Sequence, residues 1–404
     1  MKINLRIIND LYMIVFIIYY FVLSGFLSFF LGVSNTIISL FFSFSFIFWY
    51  LIKPNRIIRK EILNFGQITV FIIIYIFFTS FINKQGIIRP IIYSQFYVIP
   101  LILLFLIYEN DILTFRFLTL KKIKNWMLLL ALLQLPILLI QNNFFDVLIG
   151  FNFSGQKIYS VDFEFGSFPL KNDHALGFFL VVNLLYIWSN KVLINKLQLL
   201  LASIVIVVNL LLTNSNVSIL FAAIAIAFLI LKKRNEIKIK ISFKKILIIL
   251  ISLFLVIVLM EYTELKFYGD FKNKFSHKLD IRTSLKWFKK GFARREQIIL
   301  VLLNDNITYL GNGAYAYFDI LAGKFNRTFR HFSQLIWSYY DLGIIGLLAF
   351  FYYIKSLIKL FKHKRTSFNI CLTVAIIMYS FFTIPTFDYS FMLTYFIYML
   401  KDEN

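Results

Sequence analysis

Arg327-Thr-Phe-Arg-His-Phe-Ser-Gln-Leu-Ile-Trp-Ser-Tyr-Tyr-Asp-Leu-Gly-Ile-Ile-Gly346 begins with two arginines and a histidine and ends inside an apolar run covering 334–355. A helix needs roughly 20 mainly apolar residues to cross a bilayer. The stretch therefore reads as the mouth of a spanning helix. The residues before it, Glu261 to Ser333, read as one large water-facing loop set between two apolar runs. That loop holds more Lys and Arg than Asp and Glu.

Working outward, about twelve such runs are predicted: 11–31, 35–52, 65–82, 87–107, 126–141, 174–189, 197–212, 216–231, 244–260, 334–355, 368–384 and 387–400. Placing alternate loops inside puts the majority of the 42 Lys and Arg on one face. The positive loops are short and dense: Lys53 through Lys60, Lys121 through Lys124, Lys232 through Lys245 and Lys355 through Arg365. Short cytoplasmic loops carry such an excess. Both termini are then expected in the cytoplasm, and loop 261–333 outside it. Long loops escape this charge rule, so the basic character of 261–333 is the part that topology does not explain.

Composition agrees. Hydrophobic residues make up 60% of the 404, Phe alone contributes 50, and only 15% are charged. The mean hydropathy is +0.78, well beyond a soluble globule, whose apolar share is nearer one half. The expected fold is an all-α polytopic membrane protein: one transmembrane domain over 1–404, with 261–333 as a large extracytoplasmic loop carrying amphipathic helices. A net charge of +22 suggests nucleic acid, but the cations fall between apolar runs instead of on one soluble face. They read as topogenic, and no nucleic-acid partner is expected. Cys371, the only cysteine, excludes an internal disulfide and a Cys-based metal cage. The run after Met1–Arg6 is too long for a cleaved signal and reads as a first anchor.

Three segments on the outward side have the polarity to build a site: Gln141–Asp173, the break Thr213–Asn216 and loop 261–333. Within the loop, Leu285, Phe288, Phe292, Ile299 and Leu303 recur at helical spacing, with Lys286, Lys289, Lys290 and Arg294 displaced from them. This is an amphipathic helix, either resting on anionic headgroups or pointing Arg294 and Arg295 at an anionic ligand. Arg suits phosphate because its planar fork gives two charge-assisted hydrogen bonds. Leu310-Gly-Asn-Gly-Ala-Tyr315 lacks a third glycine and a preceding strand, so it reads as a tight turn before a nucleotide fingerprint. Arg327, Arg330 and His331 gather at the mouth of the next helix. His331 is an interfacial histidine or a proton acceptor near neutral pH. Asp341, about three turns further in, is costly in an apolar run and should face a bundle interior or watery cavity. Gly343 and Gly346 allow close helix approach. Arg89 either snorkels or binds a ligand. Lys171-Asn-Asp-His174 is a polar helix start in which Asp173 also suits an N-cap. Carboxylates are scattered without ligand spacing, so neither metal nor cofactor is expected.

These residues resemble the O-antigen and capsule polysaccharide polymerases and the related O-antigen ligases. Phe165-Gly-Ser-Phe-Pro-Leu-Lys-Asn172 is similar to the family's Gly-x-Phe…Asn segment before a helix. Arg294-Arg295 followed by an apolar helix and Gly311-x-Gly313 is similar to its Arg…Gly-x-Gly stretch, and His331…Gly343-x-x-Gly346 to its His…Gly-x-x-Gly ending. The likeness covers roughly the second half of the chain.

The resemblance implies transfer of a glycan from one undecaprenyl-pyrophosphate-linked oligosaccharide to another on the outer face of a bacterial cytoplasmic membrane. Arg295, with Arg294, Arg330, Arg327 and Arg89, would hold the pyrophosphate. His331 would be the general base, and Asp341 its orienter or the alternative base. Lys171, Asn172 and His174 would touch substrate, and a lateral groove among Phe- and Tyr-rich helices would take the polyprenyl tail. Membrane lipid and a chain-length regulator protein are the further expected partners. A ligase acting on lipid A-core is one alternative, and a flippase or transporter of the lipid-linked repeat another.

Overall fold

The computed structural model describes residues 5–52, 60–107, 119–158, 163–170, 172–190, 195–213, 215–236, 309–324, 333–360 and 366–400. Among them every regular element is a helix. The apolar run 244–260 lies outside the described residues, as do 261–308 and 325–332 of the large loop.

Five helices are long and apolar enough to cross a membrane: Asp10–Leu31, Lys60–Ile82, Ile88–Phe105, Leu120–Asn143 and Gln334–Leu360. Shorter apolar helices accompany them, including Lys196–Leu212 and Ser367–Phe382. In chain order the helices are α1 (Leu5–Ile18), α2 (Ser24–Leu31), α3 (Asn35–Ile52), α4 (Lys60–Ile82), α5 (Ile88–Ile107), α6 (Leu120–Asn143), α7 (Phe145–Leu148) and α8 (Asp173–Asn190). There follow α9 (Lys196–Leu212), α10 (Asn216–Glu236), α11 (Ala316–Lys324), α12 (Gln334–Leu360), α13 (Ser367–Phe382) and α14 (Tyr389–Met399).

Local sequence explains where several of them start. Thr119, Asn195 and Thr366 each sit in extended backbone and accept a main-chain N–H from Lys122, Leu197 and Asn369 respectively. A side-chain oxygen there satisfies one of the donors that a helix leaves without a partner.

A helix apolar all round belongs inside a bundle. Two qualify. Ala175 through Ile187 of α8 are all buried, and so are Ser390 through Met399 of α14. The two pack through stacked rings of Phe178 and Phe391, with centroids 3.8 Å apart, and through Tyr398, whose hydroxyl donates to Asn183 Oδ1 at 2.6 Å. The sequence predicts a spanning helix over 387–400. The structure instead shows 11 helical residues, about 16 Å at 1.5 Å per residue. This element is an inner core helix, apolar because protein surrounds it. At its far end Lys124 Nζ donates to the Leu400 carbonyl at 2.8 Å and lies 5.5 Å from the Tyr186 ring centroid. A cation at a helix C-terminus offsets the partial negative charge there.

Two interruptions of regular helix shape the opposite end. Between α1 and α2 the chain makes a π turn over Tyr19–Leu23. Its carbonyls are put to use: Tyr20 O accepts from Ser390 Oγ at 3.2 Å, and Phe21 O accepts from Ser167 Oγ. The second is a break inside α12 at Gly343, with φ 67° and ψ −166°. An L side chain is essentially excluded from that region. A Cβ there would also meet the Tyr309 carbonyl oxygen at 2.3 Å and Gly311 N at 2.6 Å. The sequence predicts a helix–helix contact from Gly343 and Gly346. What presses against Gly343 is instead the backbone of a loop some thirty residues earlier.

Candidate functional site

Two polar assemblies share this end of the bundle. The first is built on the break in α12. Residues Tyr309–Tyr315 lie across it, and Asn312 N and Gly313 N donate to the Tyr340 and Asp341 carbonyls at 3.2 and 2.9 Å. Gly311 (φ 86°) lets the loop come this close, because a Cβ there would meet Asp341 O at 2.4 Å. The loop between α4 and α5 holds the other side. Asn83 Nδ2 donates to Gly311 O at 3.1 Å, and Gln85 Nε2 to Asn312 O at 3.1 Å.

Asp341 closes this assembly. It is fully buried and accepts from Tyr317 N at 2.7 Å, Tyr315 N at 3.2 Å and the Trp337 indole N–H. Tyr93 faces the same carboxylate. Two of those donors open α11, so Asp341 caps that helix from a different element, adding a negative charge where the helix dipole favours one. A carboxylate engaged in this way on both oxygens positions the 309–324 segment. The helix starts at Gln334, so Asp341 is about two turns in, not three.

Arg89 belongs to the same assembly. Its guanidinium grips Asp319 of α11 through both Nη atoms, one contact at 3.3 Å. The two side chains are 47% and 56% exposed. An anionic ligand would have to displace Asp319 to reach Arg89.

The second assembly is a crevice where α8, α10 and α14 begin. His174 Nδ1 lies 2.9 Å from Ser215 Oγ and 3.4 Å from Asp173 Oδ2. Ser215 Oγ lies 2.7 Å from Ser218 Oγ, to which the Tyr379 hydroxyl donates at 2.6 Å. Gly177 lets α10 approach, because a Cβ there would meet Ser218 Oγ at 2.3 Å. Segment 213–216 and the end of 141–173 therefore meet here through Ser215, His174 and Asp173. The turn Thr383–Asp388 forms a further wall. Gln334, which opens α12, donates its N–H to Thr383 O at 2.9 Å and accepts from Thr386 Oγ1 at 2.7 Å.

Asp388 sits in the turn before α14 and is partly buried. It accepts from Phe391 N at 3.0 Å as the α14 cap and pairs with Asn172. Removal from water pushes its carboxyl up to about 7; the bonds from Phe391 N, Asn172 and Ser390 N oppose this, and nearby Asp173 adds to it. Aromatic rings line the wall between the two assemblies. Tyr389 packs on Tyr20 at 5.4 Å and Phe96 at 5.7 Å, and Tyr315 packs on Tyr93 at 5.2 Å.

Of the residues predicted for function, Asn172 and His174 line the crevice, and Arg89 and Asp341 hold the 309–324 segment. Lys171, Arg294, Arg295, Arg327, Arg330 and His331 lie outside the described residues. Asp388 went unrecognised because the apolar run 387–400 swallowed it. A lone Asp ahead of a run containing Ser390 is an N-cap pattern that would have flagged it. Among the described residues no group of three His, Cys, Asp or Glu is placed to hold a metal ion. Beside the crevice, Gly25, Phe26, Phe30, Ile137, Ile140 and Phe165 border an apolar hollow between α2 and α6. No family model matches this chain, and no curated protein does.

Proposed function

We propose that this protein is a polysaccharide polymerase that joins undecaprenyl-pyrophosphate-linked oligosaccharide repeats on the outer face of a bacterial cytoplasmic membrane. The observation that carries the reading is the crevice. It gathers Asn172, Asp173, His174 and Asp388 beside the helix that follows Arg327, Arg330 and His331. Polar side chains over aromatic rings suit sugar hydroxyls, and the neighbouring apolar hollow suits a polyprenyl tail.

An acceptor hydroxyl attacks the anomeric carbon of the donor glycan. The bond from that carbon to the pyrophosphate oxygen breaks, and the electron pair leaves with the diphosphate. Arg295, assisted by Arg294 or Arg330, stabilises the charge that builds on the leaving group, where preorganised donors contribute most. The hydroxyl proton passes to a base at this mouth, the role that the sequence gives to His331.

The test is incubation of the purified protein with a lipid-linked repeat and no nucleotide sugar or metal, followed by sizing of the product. Arg295→Ala and His331→Ala should leave single-repeat glycan at normal protein abundance; wild-type chain length in both removes the assignment. Transfer to lipid A-core in the same assay makes the enzyme a ligase. The break in α12 favours a second reading, because transporters place substrate sites at discontinuous helices. In that case the variants stop the lipid-linked repeat from crossing the bilayer.

A further inference from the structure

The base that the reaction needs has a second candidate within the described residues. Asp341 does not supply it, since it is fully buried. Asp388 differs in two respects: it lies in a turn between helices, and it is not fully enclosed.

Resting on the polymerase reading, we propose that Asp388 is the carboxylate that takes the acceptor hydroxyl proton, with Asn172 as the positioning residue that aims it. As the acceptor oxygen bonds to the anomeric carbon, its proton moves to the Asp388 carboxylate. In the same step the glycosyl–phosphate bond breaks, and its electron pair leaves with the diphosphate. The proton returns to water through the open side of the crevice.

The groups facing Asp388 favour this role. From α8 come Asp173, a like charge, and Asn172; His174 stands behind Asp173. From α14 itself comes Tyr389, within electrostatic reach of Tyr20 and Tyr315. No cation among the described residues pairs with Asp388, so its charged form is held poorly and its conjugate acid is comparatively stable. A general base works best when its own affinity for protons matches the working pH.

The discriminating variant is Asp388→Asn. Asparagine caps a helix about as well as aspartate, so the bond from Phe391 N survives while the proton-accepting group is lost. The measurement is polymer formation by the purified full-length protein on a lipid-linked repeat between pH 5 and 9, with kcat and KM separated. In the wild type kcat should rise with pH through about 7. In Asp388→Asn kcat should fall by roughly 10²–10⁴ with that rise abolished and KM little changed. Asp388→Glu should restore part of the rate, and Asn172→Ala should shift the rise along the pH axis.

A wild-type pH profile in Asp388→Asn overturns the proposal, and so does a loss confined to KM. If His331→Ala alone removes the rise, the proton goes to His331 and not here. Absence of polymer from the wild type at every pH instead overturns the polymerase reading, and this assignment falls with it.

Discussion

Replacing Gly343 by alanine is the sharpest test of the broken helix. The new methyl group would stand 2.3 Å from the Tyr309 carbonyl oxygen and 2.6 Å from Gly311 N, and both are backbone atoms that cannot rotate away. Forcing an alanine into this φ/ψ region costs on the order of 1–3 kcal/mol. Overpacking a close contact adds about 1–3 kcal/mol more. The cheaper response is for residues 309–315 to leave the break and surrender the two backbone bonds to Tyr340 and Asp341. The open form of this segment then gains about 3 kcal/mol, roughly a hundredfold in population at 1.36 kcal/mol per decade.

Ala314 reports on that equilibrium. It is fully buried, and its N–H donates to Ser80 Oγ at 3.1 Å. A cysteine there, in a Cys371→Ala background, is labelled by a maleimide at a rate proportional to the open fraction. Gly343→Ala should raise that rate about a hundredfold. Gly86→Ala, whose methyl group meets nothing within 4 Å, should leave it unchanged. A rate in Gly343→Ala within about threefold of the parent would show that the contact at Gly343 is not what holds the loop.

Three further outcomes follow from the same geometry. Asp341→Ala strips the buried N–H groups of Tyr315, Tyr317 and Trp337 of their acceptor and should destabilise the solubilised protein by about 3 kcal/mol or more; a change below about 1 kcal/mol in thermal or denaturant unfolding contradicts the capping role. Arg89→Ala and Asp319→Ala break an exposed pair and should each cost under about 1 kcal/mol, with a double-mutant coupling equally small; a coupling of several kcal/mol would place the pair in a drier site than the structure shows. The Asp388 carboxyl is pushed up to about 7 in the folded protein, above its ordinary value near 3.9. Its contribution to stability is complete below the ordinary value and is lost as pH rises through 7, so Tm should fall between about pH 4 and 7. Asp388→Asn should flatten that slope, and an unchanged slope means that another group titrates.

Much of the helix layout was legible because apolar run length and flanking charge report directly on it. The run 11–31 emerges inside Leu5–Leu31, and 197–212 inside Lys196–Leu212. Meeting points between segments were not legible. Nothing near Gly343 announces that Tyr309 and Gly311 will press on it, and a Gly-x-x-Gly spacing reads the same whether helix or loop approaches. Asp388 was lost because hydropathy averages a single carboxylate into the run that it caps. The last apolar run misled for a related reason. Inner protein and lipid demand the same side chains, so composition does not separate a core helix from a spanning one. Asn172 and His174 were visible as a polar break before an apolar run, whereas their partners Asp388 and Ser215 come from 216 and 41 residues away.

The placement of α14 bears on how the molecule is assembled. This helix follows all other described helices in sequence, yet it stands in their midst, wedged against α8 and tethered by Lys124 at its last carbonyl. Until α14 is made, the Phe178 and Asn183 face of α8 lacks the partners that Phe391 and Tyr398 supply. A ribosome stalled before Tyr389 would leave a bundle with an open centre, a form that quality-control proteases should recognise.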